Sequence, residues 1–182
     1  MPAGLPWLAG ARPARRIGTI PERCPVICLP GPVLDRILEY SDASPDIESG
    51  GFLLGRRCRD PRYRRDFLSI RQFLPASATT GQIDSLTFTH ETWARLHDTI
   101  DTRFPDLEIL GWHHTHPGFG IFLSRHDEFI HRNFFDSRWH VAMVVDPCQG
   151  EFGFFQWLDD RLVNTGFLLV PAKRRRSPVN AS

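Results

Sequence analysis

Between Ile109 and Asp127 the chain reads ILGWHHTHPGFGIFLSRHD, placing four histidines, a serine and an aspartate within nineteen residues. His114 and His116 stand at i and i+2, so on a strand both imidazoles share one face while His113 and Thr115 point away. Ser124 and Asp127 stand at i and i+3, on one side of the first turn of a helix. A strand end and a helix start can therefore meet across the intervening PGFGIFL. Two imidazole nitrogens and one carboxylate oxygen make a three-ligand zinc site whose fourth position is left for water, the arrangement of catalytic rather than structural zinc. Water held there has a pKa of about 7 and is a usable nucleophile.

Each fragment has an ordinary explanation by itself. Ser124-x-x-Asp127 is also a plain capping box, and a lone His-x-His on a strand is more often incidental than a ligand pair. The full pattern His-x-His-Pro-x6-Ser-x2-Asp fixes five residue types, and average usage makes a chance match on the order of 10⁻⁷ per starting position. Such a hydrolase also needs a group to take a proton from water and hand it to the leaving amine. Glu48, in DIESGGFLLG, sits where a proline turn meets an apolar strand. Gly50, Gly51 and Gly55 would let that strand approach another backbone closely. The alternative is a solvated carboxylate at a strand start.

Positioning these residues requires a helix over about 32–43, where Val33, Ile37 and Leu38 follow a proline in the first turn. A hairpin follows, formed by ESGGFLLGRRC and YRRDFLSIRQFL around RDPR. Thr89 is a candidate N-cap for a second helix burying Trp93, Leu96, Ile100 and Phe104. LEILGWHHTH is a strand stopped by Pro117, and SRHDEFIHRNFF a third helix from Ser124. WHVAMVVD, FGFFQWLD and RLVNTGFLLV are three short strands. The order α-β-β-α-β-α-β-β-β predicts an α/β sandwich around a mixed sheet.

The chain's 182 residues, 41% of them hydrophobic, suffice for one substantial core. Residues 1–20 are expected to form a flexible arm, 21–171 the domain and 172–182 a basic tail. The net charge of +1 gives no field for nucleic acid or membranes. The hairpin RRCRDPRYRR is expected to be a solvated turn interleaved with acids. No apolar run approaches the roughly 20 residues that span a bilayer, and the opening residues are too proline-broken for a secretory signal. A cytoplasmic location is expected. Cys24, Cys28, Cys58 and Cys148 form no C-x-x-C pair and are read as free thiols. A zinc deaminase would need H-x-E with P-C-x-x-C, and a zincin H-E-x-x-H; the sequence has neither.

Glu48-x-x-Gly51-x-x-x-Gly55, followed by His114-x-His116-Pro117-x6-Ser124-x2-Asp127, resembles the JAMM motif of the MPN+ (Mov34/PAD-1-like) metallopeptidases, which include deubiquitinating enzymes. GWHHTHPGFGIFLSRHD and VVDPCQGEFGFF both read like that family, so the likeness covers about residues 30–170. It implies the MPN, cytidine-deaminase-like sandwich. It also implies one Zn2+ per chain on His114, His116 and Asp127, with Glu48 as general acid/base. Ser124 would donate to the oxyanion, a bond that strengthens as charge develops. No motif position is missing, which disfavours the family's inactive scaffolds. Trp112, His113 and Phe119 are assigned to packing or to the groove wall.

The resemblance further implies hydrolysis after the C-terminal Gly of a ubiquitin-like protein, either releasing it from conjugates or maturing it. Compact size, Arg-rich composition and the lack of extra domains are similar to stand-alone bacterial members, which accompany ubiquitin-like conjugation systems, antiviral ones included, with E1-like and E2-like enzymes. Processing of a sulfur-carrier protein or its adducts stays open, as does a zinc-stabilised scaffold that binds ubiquitin-like tails without cutting. The family uses an insertion at Ala78–Phe88 to pair with the modifier's tail, which makes Thr80, Ile83, Leu86 and Phe88 expected substrate contacts, with Phe119 beside them. Phe134–Trp139 leaves no room for the second insertion by which some eukaryotic relatives grip a second ubiquitin.

Overall fold

VAMVVD opens with five consecutive apolar residues, the signature of a strand covered on both faces, and the structure places it in the interior of the sheet. The structure, a computed structural model, describes residues 14–61, 64–76 and 90–172. Among them the elements run β1 (Arg15–Ile17), β2 (Val26–Pro30), α1 (Gly31–Asp42), β3 (Gly50–Asp60), β4 (Arg65–Pro75), α2 (His90–Arg103), β5 (Glu108–Thr115), α3 (Arg125–Phe134), β6 (Val141–Asp146), β7 (Glu151–Leu158), β8 (Arg161–Thr165) and β9 (Phe167–Val170). The strands form one nine-stranded mixed sheet in the order β1-β9-β2-β4-β3-β5-β6-β7-β8. Pairs β2–β4, β2–β9 and β5–β6 are parallel and the others antiparallel.

The sheet has a different helix layer on each face. Val33, Leu34 and Ile37 of α1 pack with Leu53, Phe73, Leu110, Val141, Met143 and Val145. On the opposite face Leu96 and Ile100 of α2 and Ile130 of α3 pack with Phe52, Leu54, Trp112, Ala142 and Val144. Residues 52, 53 and 54 alternate between the two clusters, as do 141 to 145, following the two-residue period of a strand.

The expected sandwich, three helices and hairpin are present, but the order differs from the expected one at both ends. Residues 15–17, inside the expected arm, form β1 on β9, and VICLP forms β2 before α1. RLVNTGFLLV is two strands broken at Gly166, where a Cβ would lie 2.3 Å from Ile17 O. The basic hairpin is interleaved with acids: Arg57 pairs with Glu108 at 2.8 Å and Arg56 with Asp106 at 3.2 Å. No helix among the described residues is long and apolar enough to cross a membrane. The four cysteines are unbridged, and burial pushes the Cys28 thiol up to about 12.

Candidate metal centre

β5 carries a bulge. Leu53 of β3 faces Gly111 while Leu54 faces Ile109, so Leu110 is the extra residue. Only glycine fits at 111: its φ is +158° and a Cβ would lie 1.9 Å from Val141 O. Gly51 and Gly55 serve the close approach expected of them, since a Cβ would meet Leu74 O at 2.6 Å or Ser69 O at 2.1 Å. Beyond the bulge, Trp112 and His114 face α3, while His113 faces the α1 side against Tyr40 and Phe73.

His116 stands one residue past the end of β5, held by its backbone N–H donating to Val145 O at 2.8 Å. Its Nε2 lies 3.0 Å from His114 Nε2. Asp127 enters from the first turn of α3, with Oδ1 3.4 Å from His114 Nε2 and Oδ2 3.3 Å from His116 Nε2. One ligand atom from each of the three lies within 4.8 Å of the others, and all three residues are buried. Two imidazole nitrogens and a carboxylate converging on one buried point fit a zinc ion with an open position.

The capping reading of Ser124-x-x-Asp127 is realised, and the same carboxylate faces His114 and His116. Ser124 N donates to Asp127 Oδ2 at 2.7 Å and Asp127 N donates to Ser124 Oγ at 3.2 Å, a complete capping box that also fixes the carboxylate's orientation. Accepting at Oγ leaves the Ser124 hydroxyl hydrogen to donate elsewhere. Burial disfavours charge on Asp127, but the hydrogen bonds from His114 and His116 outweigh it and hold its carboxyl well below the usual carboxylate range. Burial prevails at His114 and lowers its pKa; at His116 burial is outweighed by Asp127 and Glu48, and the pKa rises.

Glu48 is exposed in the segment between α1 and β3, and its charge acts on both His114 and His116. Phe119 projects from the PGFG loop at 72% exposure. Thr80, Ile83, Leu86 and Phe88, like the N-cap candidate Thr89, lie outside the described residues. Trp112 fulfils its packing assignment, its ring stacked on His114 at 4.4 Å. His113 is fully buried on the other face, edge-on against Phe73.

Three residues that matter to the site went unread in the sequence. Asp146, fully buried at the end of β6, accepts from the backbone N–H groups of Gly118, Gly120, Cys148 and Gln149, tying the loop after His116 to the β6–β7 turn. Phe122, exposed in the same loop, lies 4.7 Å from the His116 ring. Thr115 bonds the Glu48 segment. The aspartate closing VVD before a proline was a local turn signal; the role of Thr115 depends on partners more than sixty residues away.

A sequence model of the JAB1/Mov34/MPN/PAD-1 ubiquitin protease family matches residues 25–136, more than half of the chain. The chain is 29% identical over 147 residues to the ubiquitin carboxyl-terminal hydrolase RPN11 of Saccharomyces cerevisiae, covering 80% of the chain and 46% of that protein. It is 30% identical over 115 residues to COP9 signalosome complex subunit 5 of Kluyveromyces lactis, covering 62% and 29% respectively. Both matches thus span less than half of the relative's length. A solution structure of a Desulfitobacterium hafniense protein shares the fold, with TM-score 0.58 and 19% identity over 82% of this chain and 96% of that one. The chain belongs to the JAB1/Mov34/MPN/PAD-1 family, the one its histidine motif resembles.

Proposed function

We propose that this protein is a zinc-dependent isopeptidase that hydrolyses the bond after the C-terminal Gly of a ubiquitin-like protein. Its setting is a bacterial ubiquitin-like conjugation system, antiviral systems among them, with the modifier, its conjugates and the E1-like and E2-like enzymes as partners. The observation that carries this reading is the convergence of His114, His116 and Asp127 at a point electrostatically coupled to the exposed carboxylate of Glu48. The yeast relative's name supports the substrate class.

His114, His116 and Asp127 would hold the ion. Zinc supplies Lewis acidity, which polarises an amide carbonyl and makes water nucleophilic near neutral pH. Glu48, reachable from solvent, takes the proton from the attacking water and returns it to the leaving amine. Ser124, half-buried beside Asp127, donates its free hydroxyl hydrogen to the oxygen on which negative charge develops. Trp112 stacked on His114, and the Asp146-bound loop behind His116, keep the ligands rigid.

The test uses the purified chain with zinc and a ubiquitin-like protein fused through its terminal Gly to a reporter. Wild type is expected to cleave the fusion, and Glu48→Gln to keep its zinc while slowing cleavage by roughly 10²-fold or more. Full cleavage after verified metal removal, or wild-type turnover in Glu48→Gln, would overturn the proposal.

A further inference from the structure

We infer that Thr115, between the two ligand histidines, is a positioning residue that sets where Glu48 stands relative to the metal ligands; this rests on the hydrolase reading above. Thr115 is fully buried, and both its hydroxyl and its backbone N–H bond to the segment that carries Glu48. Its Oγ1 accepts from Ser49 N at 2.8 Å and donates to Ile47 O at 3.3 Å, the nearer of two acceptors, Ser49 O lying at 3.5 Å. Its own N–H donates to Ser49 O at 2.9 Å. Ile47 O belongs to the peptide plane preceding the Glu48 Cα, and Ser49 N to the plane following it. A single hydroxyl therefore bridges the two planes that meet at Glu48 and fixes the direction in which its Cα–Cβ bond leaves the backbone.

That constraint matters because no hydrogen bond to the Glu48 side chain is found among the described residues, and the side chain is exposed. Its aim is therefore set by its backbone frame. The frame is referred to β5 at both ends of the segment. His113 Nε2 lies 3.1 Å from Ser41 Oγ at the end of α1; because Ser41 donates to Ile37 O, the imidazole is the donor. Gly50 pairs with His114 at the start of β3. His114 and His116 turn to Asp127 while His113 turns to the end of α1 and Thr115 to the segment bearing Glu48, so the residues that would hold the ion and the base share one ruler. A hydroxyl at position 115 does what a residue merely filling space could not.

Thr115→Val keeps the branched shape and removes the hydroxyl, Thr115→Ser keeps the hydroxyl and removes the methyl, and Thr115→Ala replaces the valine variant if that fails to fold. The expected result for valine is a kcat lowered roughly tenfold or more, the scale at which displacing a positioned acid/base group is felt, with KM and zinc content unchanged. Serine restores wild-type turnover. In the Glu48→Gln background the valine substitution adds little, because both changes act through one group. Independently of activity, and in metal-free protein as well, amide exchange over Ile47–Gly50 quickens in the valine variant and not in the serine one.

Unchanged exchange with unchanged kcat would overturn the inference. So would a full additional loss in the Glu48→Gln background, or a loss of zinc that explains the slower turnover. A wild-type chain that holds zinc yet cleaves no fusion, alongside the expected exchange change, defeats the hydrolase reading while supporting the hold of Thr115 on this segment.

Discussion

Acid should unfold this domain partly through His131, and the effect can be isolated. Trp112 Nε1 donates to His131 Nδ1 at 3.0 Å, joining β5 to α3 behind the ligands. That bond requires an unprotonated Nδ1. Burial, helped by the positive charges of His140 and Arg132, lowers the His131 pKa from 6.5 to about 3. A depressed native value means that the unfolded chain binds more protons than the native one between those limits. The contribution is complete above pH 6.5 and is lost as pH falls toward about 3. At about 1.36 kcal/mol per pH unit its ceiling is roughly 5 kcal/mol, comparable to the whole stability of a small domain. In His131→Asn the amide oxygen can accept from Trp112 Nε1 but does not titrate. Urea unfolding of both proteins at several pH values from 6.5 to 4 should give a shallower dependence for the variant, by about 1.4 kcal/mol per pH unit, one proton's worth. The absolute stability of the variant does not enter, since only the slopes are compared. Parallel slopes would refute the argument, for His131 would then titrate alike in both states.

Ser124→Ala should lower kcat roughly 10²-fold by removing an oxyanion donor and cost about 1 kcal/mol of unfolding free energy by removing the α3 cap; a stability loss with unchanged kcat would leave Ser124 a cap alone. Zinc at about 100 times its Kd should raise unfolding free energy by about 2.7 kcal/mol, and Asp127→Asn should abolish most of that gain in a thermal scan. Replacing the substrate's terminal Gly by Val or Leu should slow cleavage at least roughly tenfold while barely changing affinity for the globular part, because extended backbone must pass close to the ligands; equal rates would indicate a general peptidase. Gly111→Ala should destabilise the domain by at least 1–3 kcal/mol, the usual scale of overpacking, and weaken zinc binding in a metal titration.

How far the sequence could be read depended on how local the determinants were. All three proposed metal ligands lie within fourteen residues, so two short spacings, i to i+2 on a strand and i to i+3 on a helix, sufficed to bring His114, His116 and Asp127 together. α1 was legible from its apolar spacing and its proline, the β3–β4 hairpin from its turn. β2 was not: VICL is four residues between prolines, and its partners are β4 and β9, which lie far along the chain. Gly166 is a local hint of a bend in RLVNTGFLLV, but what forbids a side chain there is Ile17 O, some 150 residues earlier in the chain.

The bulge at Leu110 shows why spacing alone was nearly enough. Leu110 packs on the α1 side, so unbroken alternation would send Trp112 and His114 to that same side and His113 to α3. One extra residue inverts this, and Trp112 joins the opposite cluster. The motif's internal spacing is indifferent to the inversion: His114 and His116 remain together whichever face they take. The encounter with Asp127 is not, because α3 covers only one face. Nor is the encounter with Glu48, whose segment leaves α1 on the other face and must find Thr115 and His113 turned toward it. A single phase shift therefore assigns the proposed metal ligands to one layer and the anchor of the proposed base to the other, and only the strand's end, where Glu48 can come round the edge, lets the two meet. Gly111 is the residue that makes the shift sterically possible, so the geometry of the site is determined outside the motif as much as within it.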